Sequence, residues 1–333
     1  MASGRRRFIA AFIVVIGCAL LGAAALVYRH YVAPGPLKQP TTVVVARGAG
    51  VNDIARLLHN KSVIANPKLF GAVARVSGVH RRLMAGEYGF DPGVSTRDVL
   101  TVLLEGRTTV RKVTFAEGIT VKEVAEALAN TEGLKGELAS IPNEGTLLPN
   151  TYHFSLGDSP TAIVQRMENA MAATVAELWE NRADGLPIRT MREAIILASI
   201  VEKETGVASE RARVAAVFVN RLRKRMRLET DPTVVYGLTE GKGPLGRALT
   251  RRDLKRDHPY NTYRIFGLPP GPICNPGRDA LAAVMNPLET DELYFVADGT
   301  GGHAFARNLA GHNRNVAKWR KIRREMRRNA APK

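Results

Sequence analysis

Cysteine is nearly absent from this chain, with only Cys18 and Cys274 among 333 residues. Cys18 lies inside an apolar run, so a bridge between the two is not expected, and no CxxC pair exists. A disulfide framework and a cysteine-built zinc ribbon are therefore excluded, and the redox compartment cannot be read from cysteine usage. Histidine is also scarce, at seven residues, and His303 and His312 lack zinc-ligand spacing. Gly299, Gly301 and Gly302 form a glycine-rich stretch without the Walker spacing or its lysine, which excludes that type of phosphate loop. Acidic residues are few: 31 Asp and Glu against 48 Lys and Arg leave a net charge of +17. Such a balance points to acidic partners, and nucleic acid, anionic lipid and anionic cell-wall polymers all qualify. A hydrophobic content of 45% with 24% charged residues fits an ordinary globular protein, and the length allows two modest domains or one large one.

The first 31 residues are more specific. Arg5, Arg6 and Arg7 precede an unbroken apolar stretch from Phe8 to Val27. A helix rises about 1.5 Å per residue, so this stretch spans roughly 30 Å, the thickness of a bilayer core. The arginines orient residues 1–7 to the cytoplasm and everything after Tyr28 to the outside, with 8–28 as the anchor. Two other readings exist. A cleaved signal peptide has a shorter apolar region and a small-residue exit site, which is not evident here. Val15-Ile16-Gly17-Cys18 looks like a lipoprotein box, but such a cysteine opens a polar mature end, and Ala19 to Val27 remains apolar.

Residues 29–40 follow as a linker, with Pro34, Gly35, Pro36 and Pro40 predicting a stiff exposed spacer and folded material from about Thr41. A weak repeat then recurs at an offset of 70 residues, aligning Val45–Leu58 with Phe115–Leu128; Ala46, Gly48, Val51, Ala55 and Leu58 are identities. Each copy reads as a strand, a glycine turn, a cap (Asn52 or Thr120) and a short helix. Asn66-Pro67 and Ser95 start two further helices, the second stopped by Gly106. Strand–helix modules of this size either bind extended polymers or act as spacers. Thr161–Trp179 reads as another helix, broken by Asp184–Pro187.

The chemistry concentrates in Met191–Leu228. Residues 191–201 are apolar almost all round, as in a helix buried at a domain centre. Glu202, Lys203, Glu204 and Thr205 follow abruptly, and Gly206 predicts the helix stop. Two carboxylates thus sit at the end of a buried helix. Residues two apart point roughly 200° apart, so only one can face a given cleft. Glu204 continues the row of Leu197, Ile200 and Val201, and Glu202 that of Ile195, Ala198 and Val201; geometry alone leaves both open. Desolvation and the negative end of the helix dipole both raise a carboxyl pKa there, and a carboxyl protonated near neutral pH can act as a general acid. A solvated helix end with surface salt bridges is the competing reading. The next helix is expected from a Ser209 cap to about Arg225, with Val214, Val217, Phe218 and Leu222 inside and a basic end from Arg221 to Arg227.

The last third is rich in turns and polar aromatics. Asp231-Pro232 reads as a turn, with Thr233 and Tyr236 following. Tyr260, Asn261 and Tyr263, the GLPPG loop at 267–271 and Asn275 add side chains that suit a sugar cleft and equally suit ordinary loops. Leu293–Val296 reads as a strand leading into Asp298–His303. The tail Lys318–Lys333 holds eight basic residues and one acidic, and with Trp319, Ile322 and Met326 it reads as an amphipathic basic helix.

Seven blocks carry a resemblance: ASIVEKET (198–205), ASER (208–211), VFVNRL (217–222), LETDPTVVY (228–236), YNTY (260–263), GLPPG (267–271) and YFVADG (294–299). In this order they resemble the endolytic murein transglycosylase (YceG-like) family. The resemblance implies an α+β fold with an N-terminal transmembrane helix, a small LysM-like α/β subdomain at 41–106 and a mixed α+β catalytic domain at 107–333. It implies that Glu204 is catalytic, with Glu202 as the supporting or alternative acid. Asp231, Thr233, Tyr236, Tyr260, Asn261, Tyr263, Asn275 and His303 would then contact substrate, with no metal or cofactor. The family cuts the β-1,4 bond from N-acetylmuramate to N-acetylglucosamine in nascent strands and leaves 1,6-anhydro ends. Implied partners are peptidoglycan glycan strands, the inner (cytoplasmic) membrane through the N-terminal helix with the remainder in the periplasm, and peptidoglycan synthases. The stretch 143–152 departs from the family, which has an aromatic in place of Thr146 or Leu147. A non-catalytic membrane-anchored scaffold that binds glycan is the alternative function. A nucleic-acid binder rests on net charge alone, and an exported location argues against it.

Overall fold

The computed structural model describes residues 2–330. The side chains of residues 1–11, including Arg5, Arg6 and Arg7, lie outside the described residues, as do residues 331–333 with Lys333 of the basic tail. The chain divides into two compact units, Met1–Arg111 and Lys112–Lys333.

The first unit begins with helix α1 (Ala2–Val32), within which Val14–Val32 is long and apolar enough to cross a membrane. The helix continues past Tyr28, and the proline-rich segment after it is exposed at Pro34, Pro36, Lys38, Gln39 and Pro40 but tied to the first unit. Leu37 is buried, and the Gly35 N–H donates to the carbonyls of Gly93 and Val94 at 3.2 and 3.1 Å. Gly35 is required there because a Cβ would lie 2.4 Å from the Val94 carbonyl oxygen. Strand β1 (Thr41–Val45) pairs antiparallel with β2 (Gly86–Phe90), Val43 opposite Tyr88. Helices α2 (Val51–Asn60) and α3 (Pro67–Val76) lie between the two strands in the chain, and α4 (Thr96–Glu105) follows. Alternate residues of β1 turn inward, so Val43 and Val45 meet Ile54 and Leu58 of α2, Phe70 of α3 and Leu103 of α4 in one core. The Asn66 side chain caps α3 and Ser95 caps α4, which Gly106 ends in the left-handed conformation, as expected. Asn52 is not a cap: α2 starts one residue earlier, after Gly50.

The second unit opens at Lys112 within β3 (Arg111–Thr114), which leads to α5 (Val121–Ala129) as the second copy of the strand–turn–helix repeat. Thr120 caps α5 in a capping box with Glu123. β3 pairs with β4 (Thr151–Phe154), and α6 (Pro160–Glu180) packs Ile163, Val164 and Met167 against Phe115, Val124 and Leu128. The main core surrounds α7 (Met191–Glu204), α8 (Arg211–Arg223) and α11 (Arg278–Met285). Between α8 and α11 run α9 (Asp231–Thr239), the short α10 (Arg251–Lys255) and long loops. A hairpin of β5 (Tyr294–Ala297) and β6 (His303–Ala306) precedes the terminal helix α12 (Leu309–Ala330). The fold is thus mixed α+β, with small two-stranded sheets and helices supplying the core.

Three local expectations change. Ser209 lies in a 3-10 turn, Ala208–Glu210, and α8 begins at Arg211 with no side-chain cap. Asp231-Pro232 opens α9 rather than a turn, since proline fits the first helical turn, where its missing N–H is not needed. Arg221 is not a free cation: its guanidinium is buried and donates to the carbonyls of Arg227, Leu228 and Leu293 at 2.7–3.0 Å.

Candidate active site

Helix α7 is central because its middle, Ala194 to Val201, is buried except for the half-buried Ile195. Ala194, Leu197, Ala198, Ile200 and Val201 are fully enclosed. Ser199 is also buried; its hydroxyl donates to the Ile196 carbonyl and accepts from the Ile273 N–H. The helix ends when Thr205 becomes extended and its hydroxyl accepts from the Val207 N–H at 3.0 Å. Gly206 is exposed and does not adopt a left-handed cap; the helix closes at the extended Thr205, whose backbone N–H donates to the Val201 carbonyl at 3.3 Å.

The two glutamates at this end part company. Glu202 turns inward, with only 6% of its side chain exposed. Its Oε2 accepts from the N–H of Gly277 at 2.8 Å, and Gly277 is the residue at which α11 starts. Arg211 stands 3.9 Å from Oε1. Glu202 therefore satisfies an otherwise orphaned N–H at a helix start, where the dipole also favours an anion. Burial pushes its pKa up, and Glu117 and Asp279 add to the rise, while the Gly277 hydrogen bond and Arg211 oppose it.

Glu204 faces a groove of about 340 Å³ that it lines with Gly302, His303, Trp319 and Met326. Its Oε1 accepts from the Thr230 hydroxyl. Burial is the largest influence on its pKa and raises it, and the neighbouring Asp231 carboxylate raises it further; the Thr230 hydroxyl, His303 and Arg221 pull the other way without reversing the direction. Glu204 is thus a carboxyl biased toward its protonated form and open to a groove, the state required of a general acid.

Thr230 is itself fixed. Its N–H donates to the Thr262 hydroxyl at 3.0 Å, and its carbonyl accepts from Thr233 Oγ1 at 2.8 Å. Thr233 and Thr262 lie 2.8 Å apart and are fully buried. A threonine triad therefore aims one hydroxyl at Glu204. On the groove side, His303 is steadied by Glu210, which accepts from its backbone N–H at 2.9 Å and meets Nδ1 at 2.8 Å. That carboxylate makes Nδ1 the protonated ring nitrogen.

A second cavity, of about 410 Å³, is lined by Lys203, Asp231, Tyr236 and residues from α5 and the Thr239–Pro244 segment. The end of α7 serves both depressions, Lys203 lining one and Glu204 the other.

The other expected contact residues sort by location. Asp231 stands beside Glu204 and accepts from the Tyr263 hydroxyl at 2.7 Å. Tyr236 lines the larger cavity, with Tyr260 against it at a ring distance of 5.0 Å. Thr233, Asn261 and Asn275 are not surface groups. Asn261 is buried and donates to the carbonyls of Leu254 and Arg256 at 3.1 and 2.7 Å. Asn275 is buried, donating to the Ile119 carbonyl and accepting from the Leu147 N–H, both at 3.0 Å. These amides and the Thr233 hydroxyl are consumed in holding loops together, so a substrate cannot reach them.

Sequence reasoning missed Thr230, which sat unremarked inside a quoted block, and Glu144. The Glu144 carboxyl accepts from the Val121 N–H at 3.0 Å, Asn275 Nδ2 at 3.3 Å and the Tyr236 hydroxyl at 3.4 Å. Burial pushes its pKa up to about 7, with Glu123 adding to the rise and the hydrogen bonds and Lys122 opposing it. Glu144 lies in a segment without periodicity, and no sequence signal marks it as buried. Among the described residues, no group of three or more His, Cys, Asp or Glu side chains converges on a metal position.

Comparison with known proteins adds to this geometry. The model of the YceG-like family matches residues 43–318. The chain is 29% identical over 338 residues to the endolytic murein transglycosylase of Bacillus subtilis (strain 168), covering 90% of this chain and 91% of that protein. It is 28% identical over 367 residues to the endolytic murein transglycosylase of Streptococcus pneumoniae (strain D39), covering 94% of this chain but 65% of that longer protein. The crystal structure of a yceG-like protein from Listeria monocytogenes superposes with a TM-score of 0.52 at 31% identity, over 83% of this chain and 99% of that one.

Proposed function

The chain belongs to the YceG-like family, and on that premise we propose that it is an endolytic murein transglycosylase with Glu204 as its single acid–base group. The observation that carries this reading is the placement of Glu204: a carboxyl with a raised pKa, held by a fixed hydroxyl, lining an open groove. A hydrolase that inverts or retains uses two carboxylates, one to protonate the leaving oxygen and one to attack or to activate water. Glu202, two residues away in sequence, is turned into the core on Gly277, and Asp231, the carboxylate beside Glu204, is engaged by the Tyr263 hydroxyl, so the reading assigns neither of them the second role.

One carboxyl suffices if the nucleophile belongs to the substrate. Protonated Glu204 gives its proton to the oxygen linking N-acetylmuramate C1 to N-acetylglucosamine, and the C1–O bond breaks. The C6 hydroxyl of the same N-acetylmuramate bonds to C1, and the Glu204 carboxylate takes that hydroxyl's proton. The product is a 1,6-anhydro end, no water is consumed, and the glutamate returns to its starting state. Nucleophile and electrophile share one sugar, so proximity is supplied by the substrate. The Thr230 hydroxyl steadies the carboxylate between the two transfers.

In this reading α1 anchors the chain in the cytoplasmic membrane and the rest acts outside it on nascent strands, ending their elongation. The order strand–helix–helix–strand from β1 to β2, with the strands antiparallel, supports a LysM-like glycan-binding role for residues 41–106. Digestion of purified peptidoglycan by the full chain, with mass spectrometry of the products, tests the proposal. Anhydro-ended fragments from the wild type and none from Glu204→Gln are expected. Fragments with reducing ends would show hydrolysis instead, and glycan binding without cutting would leave a scaffold.

A further inference from the structure

The cavity of about 410 Å³ carries a charge pattern that proton transfer at Glu204 does not use. Much of its wall is apolar, from Pro232, Val235, Tyr236, Pro244 and Ile273. Three charged side chains reach it, and two are already engaged. Glu123 closes the α5 capping box, accepting from the Thr120 N–H and hydroxyl at 2.8 and 3.0 Å. Asp231 accepts from the Tyr263 hydroxyl. Lys203 is exposed, and among the described residues no carboxylate pairs with its ammonium.

A cation without a partner at the edge of an apolar cavity selects an anion attached to an apolar body. The place of the cavity narrows the choice further. Lys203 directly precedes Glu204, so a group bound here belongs to a sugar in reach of the reacting carboxyl. On the other side of the helix end, the groove offers the flat ring of Trp319, which suits a sugar face. In peptidoglycan the acetamido groups are neutral. The substituent that combines methyl groups with a carboxylate is the lactyl-peptide stem of N-acetylmuramate.

We propose that this cavity is a peptide-stem site, in which Lys203 binds a stem carboxylate while Pro232, Val235 and Tyr236 hold its lactyl and alanyl methyl groups. The inference rests on the transglycosylase reading and deepens it: the enzyme selects strands that still bear stems, as newly made strands do.

The test uses the full chain in detergent and two substrates, uncrosslinked glycan strands with stems and the same strands stripped of stems by an amidase. A site built around a charged contact should favour stem-bearing strands in kcat/KM by about tenfold or more. That ratio should fall toward one in Lys203→Gln and return in Lys203→Arg. In parallel, binding of N-acetylmuramyl-alanyl-glutamate, followed by NMR, should weaken about tenfold in Lys203→Gln, as expected for one charge-assisted contact at a partly solvated site. A wild-type ratio near one, or a ratio that Lys203→Gln leaves unchanged, overturns the stem site while the transglycosylase reading stands. Lys203-dependent binding of the muramyl dipeptide without cutting of either glycan upholds the stem site and removes the enzymatic reading.

Discussion

Replacing Glu204 with glutamine separates catalysis from folding at one atom. The amide keeps the shape of the side chain and an oxygen for the Thr230 hydroxyl, but it can neither give nor take the proton. General acid–base groups contribute roughly 10²–10⁴-fold in rate, and in the proposed mechanism one group serves both transfers. A fall in kcat of about 10³-fold or more, with KM within about twofold, is therefore expected, equivalent to about 4 kcal/mol of barrier. The same change should not harm the fold. Burial raises the pKa of Glu204 above its ordinary value of 4.5, so the folded state holds this proton more tightly than the unfolded chain. The wild type then loses stability as pH rises from about 4.5 toward the folded pKa, and the penalty is complete above it. Glutamine carries no such penalty. Its Tm should match that of the wild type near pH 4 and equal or exceed it at pH 7–8. Thermal unfolding across pH, paired with release of anhydro-ended fragments, reads both effects. Residual activity above a tenth, or a Tm below wild type at pH 8, would refute the reasoning.

Other substitutions probe the surrounding supports. Glu202→Ala leaves the Gly277 N–H without its acceptor and should cost about 1–3 kcal/mol of stability by denaturant titration, while the folded fraction keeps its kcat. Thr230→Val removes the hydroxyl on Glu204 and should lower kcat about tenfold or more with little change in KM, the signature of a contact that matters after binding; an altered KM alone would count against it. Glu144, with its pKa near 7, should make the wild type lose stability between about pH 4.5 and 7 relative to Glu144→Gln, whose stability should lack that component. Parallel pH profiles for the two proteins would show that Glu144 does not titrate there.

Local structure was largely legible because it depends on near neighbours. Asn66 and Pro67, Ser95 and Gly106, and Thr120 with Glu123 fix helix ends through hydrogen bonds spanning at most a few residues. Asn52, Ser209 and Gly206 show the limit of that reading. Each is the right residue type near a helix end, yet Gly50, a 3-10 turn and the extended Thr205 take those places.

Hydrophobic pattern and helical geometry are properties of short stretches, so the apolar N-terminal helix, the buried α7 and the pair of carboxylates at its end could be read directly from the chain. Helical pattern left Glu202 and Glu204 equivalent, because both follow apolar rows on the same helix, and the family resemblance alone favoured Glu204. Folding gives the two side chains different surroundings. Gly277, 75 residues further on, draws Glu202 into the core, and Thr230, 26 residues on, holds Glu204 beside the groove. Distance also hid Asn275, whose amide is used up on the carbonyl of Ile119, 156 residues away, whereas Asn261 spends its amide on Leu254 and Arg256, seven and five residues back. Which polar side chains remain free for a substrate depends on partners brought together by folding, and no local pattern records them.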